Sequence, residues 1–393
     1  MAILAVNAGS STLKFSLYPE RDGLIQPSVL TGNIQGLEPH GSPEIVWRQS
    51  GSTLRDVLTV GTADPFDDAL IHLRDLLARL PDLPPLKAIA HRVVHGGEYF
   101  TRSVKVTPDV LNKLASLNSL APLHQPHNLA GIESFAQAFP ALPQVACFDT
   151  AFHGTVPAQE RQFALPQSLT RQGVRRYGFH GLSYQYILGT LQERSLRAQG
   201  NVVMAHLGNG ASLCAAQAGQ SRATTMGFSA LDGLMMGTRS GALDAGVLLF
   251  LMEQGWSHDR IQTLLYKQSG LLGVSGISAD MRKLRADASP AAQWAITLFT
   301  HRVVRECGAL TACLQGLDVL AFSGGIGEHD SRIRADVCRA LEWLGVRLDV
   351  QRNAQACGDE ALSIHAADSR VEVWVIPTDE GRVAAREAAA LLR

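Results

Sequence analysis

The chain has 393 residues, 46% hydrophobic and 18% charged, with 36 glycines and 17 prolines. At roughly 150 residues per domain this predicts two or three domains with folded cores, and excludes a single disulfide-stapled module, a disordered chain and a collagen-like repeat. Lys plus Arg at 35 against Asp plus Glu at 36 leaves a net charge of -1, so no overall field favours nucleic acid or an anionic membrane, and any anion site must be local.

Apolar β-formers on either side of turn residues predict a strand over Ile3 to Val6, a turn over Asn7 to Thr12 and a strand over Leu13 to Tyr18. Asp64 and Pro65 open a helix whose Phe66, Leu70, Leu73, Leu77 and Leu80 recur at helical spacing, ended by Pro81, Pro84 and Pro85. Leu86 to Val94 reads as a strand, and Thr107-Pro108-Asp109 caps a helix running toward Leu120. Gln144 to Phe148 is a buried strand ending at Asp149. The pattern then restarts, with a strand over Val202 to Leu207, a turn at Gly208-Asn209-Gly210 and a return strand over Ser212 to Ala216. This resembles the opening hairpin and predicts two domains on one plan, divided near residue 150. Helices follow at Leu243 to Gln254, Ser257 to Gln268 and Pro290 to about Leu314. A strand over Leu317 to Phe322 runs into a glycine loop, Ser323-Gly324-Gly325-Ile326-Gly327, and then a helix. Val371 to Ile376 is a further strand, and Glu380 to Leu392 an Ala-rich helix.

The cysteines at 147, 214, 307, 313, 338 and 357 form no C-x-x-C pair and sit in apolar stretches, as expected of buried thiols in a reducing compartment. Met1 to Val6 has no basic leader, and no apolar run reaches about 18 residues, so a cytoplasmic chain with no membrane span is expected.

Glycine turns after apolar strands expose backbone N–H groups to phosphate oxygens. Three occur, at Asn7 to Lys14, Gly208 to Ser212 and Gly324 to Gly327. The P-loop pattern is absent, the dinucleotide fingerprint fails at Asp330, and neither G-x-S-x-G nor H-E-x-x-H occurs. Cations adjoin glycines in three apolar stretches: His91-Arg92-Val93-Val94-His95-Gly96-Gly97, Tyr177-Gly178-Phe179-His180-Gly181 and Gly237-Thr238-Arg239-Ser240-Gly241. Arg and His donors aimed at the equatorial oxygens of a phosphoryl group stabilise its transfer. A Mg2+ ion on nucleotide phosphates needs few hard oxygen ligands, for which Asp149 and Glu380 are candidates.

These segments, with Phe148 to His153, Arg176 to Gly181, His206 to Gly210, Gly270 to Gly276, Asp280-Met281-Arg282, Ser323 to Glu328 and Pro377 to Glu380, resemble acetate kinase family motifs in family order. The resemblance implies an α/β fold of two ribonuclease-H-like domains, of the acetate and sugar kinase, heat-shock cognate and actin superfamily, with the active site in the interdomain cleft. It divides the chain into 1–149, with the C-terminal helix 380–393 packed on it, and 150–379. It implies a homodimer and reversible transfer of phosphoryl from ATP to acetate. By motif, Asn7 and Glu380 serve the metal, Mg2+ or Mn2+. Lys14, His206, Leu207, Gly208, Asn209, Gly210, Asp280, Met281, Arg282, Gly325, Ile326, Gly327, Glu328 and His329 form the nucleotide site. Arg92 binds the acetate carboxylate, with Val94, Leu123 and Phe179 around its methyl group. His180 and Arg239 stabilise the phosphoryl group, and Asp149 is the catalytic carboxylate, read here as holding Mg2+ or its waters because acetate is already ionised at pH 7. The family pattern is broken at Ala230 (Pro), at Ala242 and Ala245 (Asp and Pro) and at Gly381 (Glu); Ala230 leaves extra room in the acyl pocket. A propionate kinase and an actin-like nucleotide-dependent binding protein are the alternative readings.

Overall fold

A computed structural model describes residues 1–9, 11–38, 41–58, 65–122 and 124–393. Ser10, the Asp64 cap and Leu123 lie outside the described residues. The chain forms two compact units, Met1–Phe152 with Asp379–Arg393, and His153–Thr378.

In the first unit, Ala2–Ala8 and Thr12–Arg21 pair antiparallel, with Asn7 opposite Lys14. Leu30–Gln35 pairs antiparallel with the second strand, while Leu86–Val93 and then Gln144–Phe148 add parallel on the other side. In the second unit, Asn201–Leu207 and Ala211–Gln217 form the hairpin, Gln220–Thr224 extends it antiparallel, and Val319–Ser323 and Glu372–Val375 add parallel. The same order and the same senses recur, so each unit is a ribonuclease-H-like α/β sheet. Strands at the centre of a parallel sheet are covered on both faces, which is why Val319–Ser323 and Gln144–Phe148 are buried throughout.

Local chemistry sets the helix ends. Thr107 Oγ1 accepts from Val110 N at 3.3 Å and Pro108 enters where no N–H is needed. That helix stops at Ala115 instead of running toward Leu120; Leu117 N and Leu120 N bond the carbonyls of Leu114 and Leu117, tight turns replacing the α-helical ladder. Ser289 caps Pro290–Leu314, which ends at Gln315 in the left-handed region, φ 59°. Asp379 caps Glu380–Leu391, whose buried Val383, Ala384, Ala385, Ala388 and Ala389 lie against the strands of the first unit.

Two further expectations are corrected. Gly324 to Gly327 is not a loop: helix Gly324–His329 begins at the first of these glycines, and glycine is required there because it takes φ +74° and a Cβ would fall 2.7 Å from the Leu207 carbonyl. All six cysteines are free, but Cys313 and Cys357 are exposed; only Cys147, Cys214, Cys307 and Cys338 are buried. No described helix is long and apolar enough to cross a membrane.

Candidate active site

In the first unit the strand Leu86–Val93 delivers Arg92, and Asp149 follows the end of the neighbouring strand, with its N–H bonded to the Val93 carbonyl at 3.0 Å. Arg92 donates from Nε to Asp149 Oδ1 at 3.0 Å and from Nη2 to Oδ2 at 2.5 Å. Glu380, in the first turn of the last helix, places Oε2 3.4 Å from the same Nε. Burial works against the Arg92 charge, yet Asp149 and Glu380 hold its pKa above the ordinary value. Two hard carboxylates therefore converge on one cation, a donor set suited to Mg2+, which is held by few protein ligands. Among the described residues no group of three or more His, Cys, Asp or Glu is assembled for a metal. Asn7 and Lys14 face each other across the hairpin, Asn7 half-buried and Lys14 exposed. Val94 is buried, with its N–H bonded to Asn128 Oδ1 at 3.0 Å. Flanking it, His91 and His95 are held neutral by burial, with pKa lowered to about 4.

In the second unit His180 caps helix Gly181–Gln192 in the left-handed region, φ 58°, a conformation that non-glycine residues adopt at a cost. Its ring stacks on His206, centroids 4.3 Å apart. Arg239 donates from Nη1 to the Ala230 carbonyl at 3.0 Å, so the carbonyl that a proline would also supply is retained at this departure from the family pattern. A Cβ at Gly210 would lie 3.5 Å from His180 Nε2 and 3.9 Å from Arg239 Nη1. One backbone position is thus faced by both the His180 ring and the Arg239 guanidinium, each at ordinary contact distance.

Beside it lies a cavity of about 970 Å³, lined by Gly208, Asn209, Asp280, Met281, Arg282, Gly325, Ile326 and His329 among others. That is the size of pocket that takes a nucleotide-sized ligand. His206, Leu207, Gly210, Gly327 and Glu328 do not line it. Leu207 is buried beneath it, and Glu328 Oε1 accepts from Gly324 N at 2.8 Å and Thr378 N at 3.1 Å, tying down the start of its own helix. Phe179, also buried, accepts on its carbonyl from His153 Nε2 at 2.9 Å.

Some residues that shape this site escape the motif reading. Arg285 pairs with Asp330 at 3.1 Å and both line the cavity. Arg334 is fully buried; Nη1 donates to the carbonyls of Gly327 and Glu328, and Nη2 to those of Asn353 and Ala356. Its signal in the sequence is a charge on the helix face that also carries Val337 and Cys338.

A duplicated ribonuclease-H-like fold, a nucleotide-sized cavity and a histidine and an arginine beside its glycine turn define a phosphotransferase. The chain belongs to the acetokinase family, whose model matches residues 2–386; these phosphotransferases use a carboxyl group as acceptor, which removes the actin-like reading. It is 51% identical to an acetate kinase of Rhodopseudomonas palustris, over 98% of this chain and 96% of that one. Among solved structures, a propionate kinase from Francisella tularensis superposes with a TM-score of 0.90 at 38% identity, covering 98% of each chain. The Porphyromonas gingivalis acetate kinase does so with 0.90 at 34% identity, covering 100% of each.

Proposed function

We propose that the protein transfers the γ-phosphoryl group of ATP to acetate, forming acetyl phosphate and ADP, and runs in reverse. The observation that carries this reading is His180 Nε2 and Arg239 Nη1 facing Gly210 next to a cavity lined by Gly208 and Asn209. Donors there meet the charge that spreads over the transferring phosphoryl group. Asp280, Met281, Arg282, Gly325, Ile326 and His329 hold the nucleoside end of ATP, with His206, Leu207, Gly327 and Glu328 supporting the wall, and Lys14 serves the phosphates. Arg92 binds the acetate carboxylate, and Val94, Leu123 and Phe179 surround its methyl group. An acetate carboxylate is ionised at pH 7 and attacks in line without a base. Mg2+, or Mn2+ in its place, would supply charge neutralisation on the phosphates, held by Asn7 and Glu380 with Asp149 on the ion or its waters.

The test is ATP- and acetate-dependent formation of an acyl hydroxamate in the presence of hydroxylamine. A rate equal to that without acetate overturns the reading, as does an acetate-independent ATPase of the same speed. Ala230, in place of the family's proline, favours propionate as a second substrate. One methylene in an apolar pocket changes selectivity by about 1–3 kcal/mol, so both acids are used, and kcat/KM for each ranks them.

The protein is further proposed to act as a cytoplasmic homodimer. Helix Ala245–Glu253 has no buried residue, and Leu249, Phe250 and Met252 are 63%, 57% and 60% exposed. Such an apolar face calls for a partner surface. Sedimentation should give twice the chain mass, and Phe250→Glu should shift it to monomer. The free thiols accord with a reducing compartment.

A further inference from the structure

Ser212 is fully buried at the start of the return strand of the second hairpin, and its Oγ has two partners. His180 Nδ1 lies 2.8 Å away, and the hydroxyl of Tyr184 makes a short contact on the other side. Tyr184 is itself buried, and burial pushes its phenol well above the usual range, so it keeps its proton. A phenol is a stronger donor and a weaker acceptor than an aliphatic hydroxyl, because the ring withdraws its oxygen's lone pair. The chain of hydroxyls therefore has a preferred direction: Tyr184 donates to Ser212, and Ser212 donates to His180 Nδ1.

We propose that Ser212 and Tyr184 are positioning residues that fix His180 in the Nε2–H tautomer and aim that N–H toward Gly210. This rests on the reading of His180 as a donor to the transferring phosphoryl group. Nε2 is the ring nitrogen nearest Gly210, where Arg239 Nη1 also points. The opposite tautomer would donate to Ser212 and turn a lone pair toward the phosphoryl oxygens.

The ring is held in place on other sides too. His206, stacked on it, is bonded through Nδ1 to Ser183 Oγ at 2.8 Å, and Ser183 Oγ lies 2.9 Å from Thr378 Oγ1. The same device occurs nearby. His153 Nε2 donates to the carbonyl of Phe179, the residue before His180, while Nδ1 faces Ser221 Oγ at 2.9 Å. A carbonyl only accepts, so His153 is the Nε2–H form and Ser221 is the donor to Nδ1. At His153 the carbonyl selects the nitrogen that carries the proton and the buried serine answers at the other; at His180 the hydroxyl pair is left to make that selection.

The experiment is ring 15N–1H NMR of the full-length protein labelled on histidine, at about pH 8, with the His180 signals assigned by their loss in His180→Asn. Wild type is expected to show Nε2–H. Ser212→Ala is expected to populate Nδ1–H and to lower kcat about ten- to a hundredfold, the usual effect of removing such a supporting bond. KM for acetate and for ATP should move less than about threefold, since the donor acts in the transition state. Tyr184→Phe should fall between, and Ser212→Thr should restore both tautomer and kcat. An Nδ1–H wild type overturns the proposal, and so does a lowered kcat in Ser212→Ala with its tautomer unmoved, which is a structural effect. If Ser212→Ala does not fold, as judged by circular dichroism, Tyr184→Phe decides through the same two readouts. If wild type makes no acetyl phosphate, the functional reading fails, while the tautomer spectra still decide whether Ser212 sets the ring.

Discussion

Arg92 and Asp149 grip each other through two parallel bonds, and Asp149, only 1% exposed, has no comparable access to water. The carboxylate thus fixes which way the guanidinium points. A lysine keeps the charge but cannot span both oxygens. Arg92→Lys should lower kcat/KM for acetate about a hundredfold through misplacement of the acceptor, with KM for ATP little changed. Asp149→Asn separates the two roles of this carboxylate. It should raise KM for acetate by loosening Arg92, and part of the lost activity should return as Mg2+ is raised. An unaltered Mg2+ dependence would show that Asp149 serves Arg92 alone.

Arg334, fully buried, bonds the carbonyls of Gly327 and Glu328 in the helix whose Gly325, Ile326 and His329 line the cavity. Its guanidinium sits at the C-terminal ends of two helices, Gly324–His329 and Val350–Gln355, and donates to carbonyls of each or just beyond them. A cation there complements the helix dipoles and satisfies acceptors that helix ends leave open. Arg334→Met strands those carbonyls in a dry interior, so about 3–5 kcal/mol of stability should be lost. KM for ATP should rise as Gly325 and Ile326 lose their backing. Urea unfolding and ATP kinetics check the two effects, and a variant as stable as wild type would contradict the first.

Much of this architecture is legible in the chain itself. The hairpin tips at Gly9 and Gly208, the long helix from Pro290 and the buried strand from Gln144 follow from turn chemistry, capping and apolar runs. Gln144–Phe148 is visible because a strand covered on both faces is apolar throughout. Strand Ser52–Val57, by contrast, is exposed along its whole length and carries no such pattern. Helix Gln125–Ala138 is nearly as hidden: its N-cap His124 makes no capping bond from its side chain, and buried Gln125 and Asn128 interrupt its apolar face.

The site divides in the same way. Glycine turns and neighbouring cations stand out because they break local rules. Ser212, Tyr184 and Arg334 do not, since their importance lies in partners distant in the chain or in an adjoining helix. The glycines at Gly324 to Gly327 look like a loop by composition, whereas the chain turns at the positive φ of Gly324 and runs on as helix.

Three buried histidines link stability to pH. His91, His95 and His153 each have a pKa lowered to about 4, burial being the first cause, against about 6.5 when unfolded. Between these values the unfolded chain binds more protons than the folded one, so stability rises with pH there. It is fully present above about 6.5 and is lost as pH falls toward 4. The urea midpoint should be level from about pH 8 to 7 and fall between about 6.5 and 5, above the range where ordinary carboxylates titrate. A midpoint constant down to pH 5 would show that these rings protonate without cost.

Tyr18 and Gly381 form a matched pair. The Tyr18 hydroxyl donates to Asp379 Oδ1 at 2.5 Å, and the same oxygen caps the last helix by accepting from Arg382 N at 3.0 Å. A Cβ at Gly381 would fall 2.5 Å from that hydroxyl, so the family's glutamate does not fit beside tyrosine without displacing it. Gly381→Glu should therefore break the Tyr18–Asp379 bond, loosen the helix turn that carries Glu380 and raise the Mg2+ concentration needed for half-maximal rate. Tyr18→Phe opens the space but loses the bond. Contacting residues couple by about 0.5–3 kcal/mol. The double variant Tyr18→Phe with Gly381→Glu should accordingly be more stable than the sum of the single losses predicts, and should recover part of the Mg2+ affinity. Thermal unfolding and Mg2+ titration of all four proteins complete the cycle, and strictly additive losses would mean that the hydroxyl and the missing Cβ do not compete for the same space.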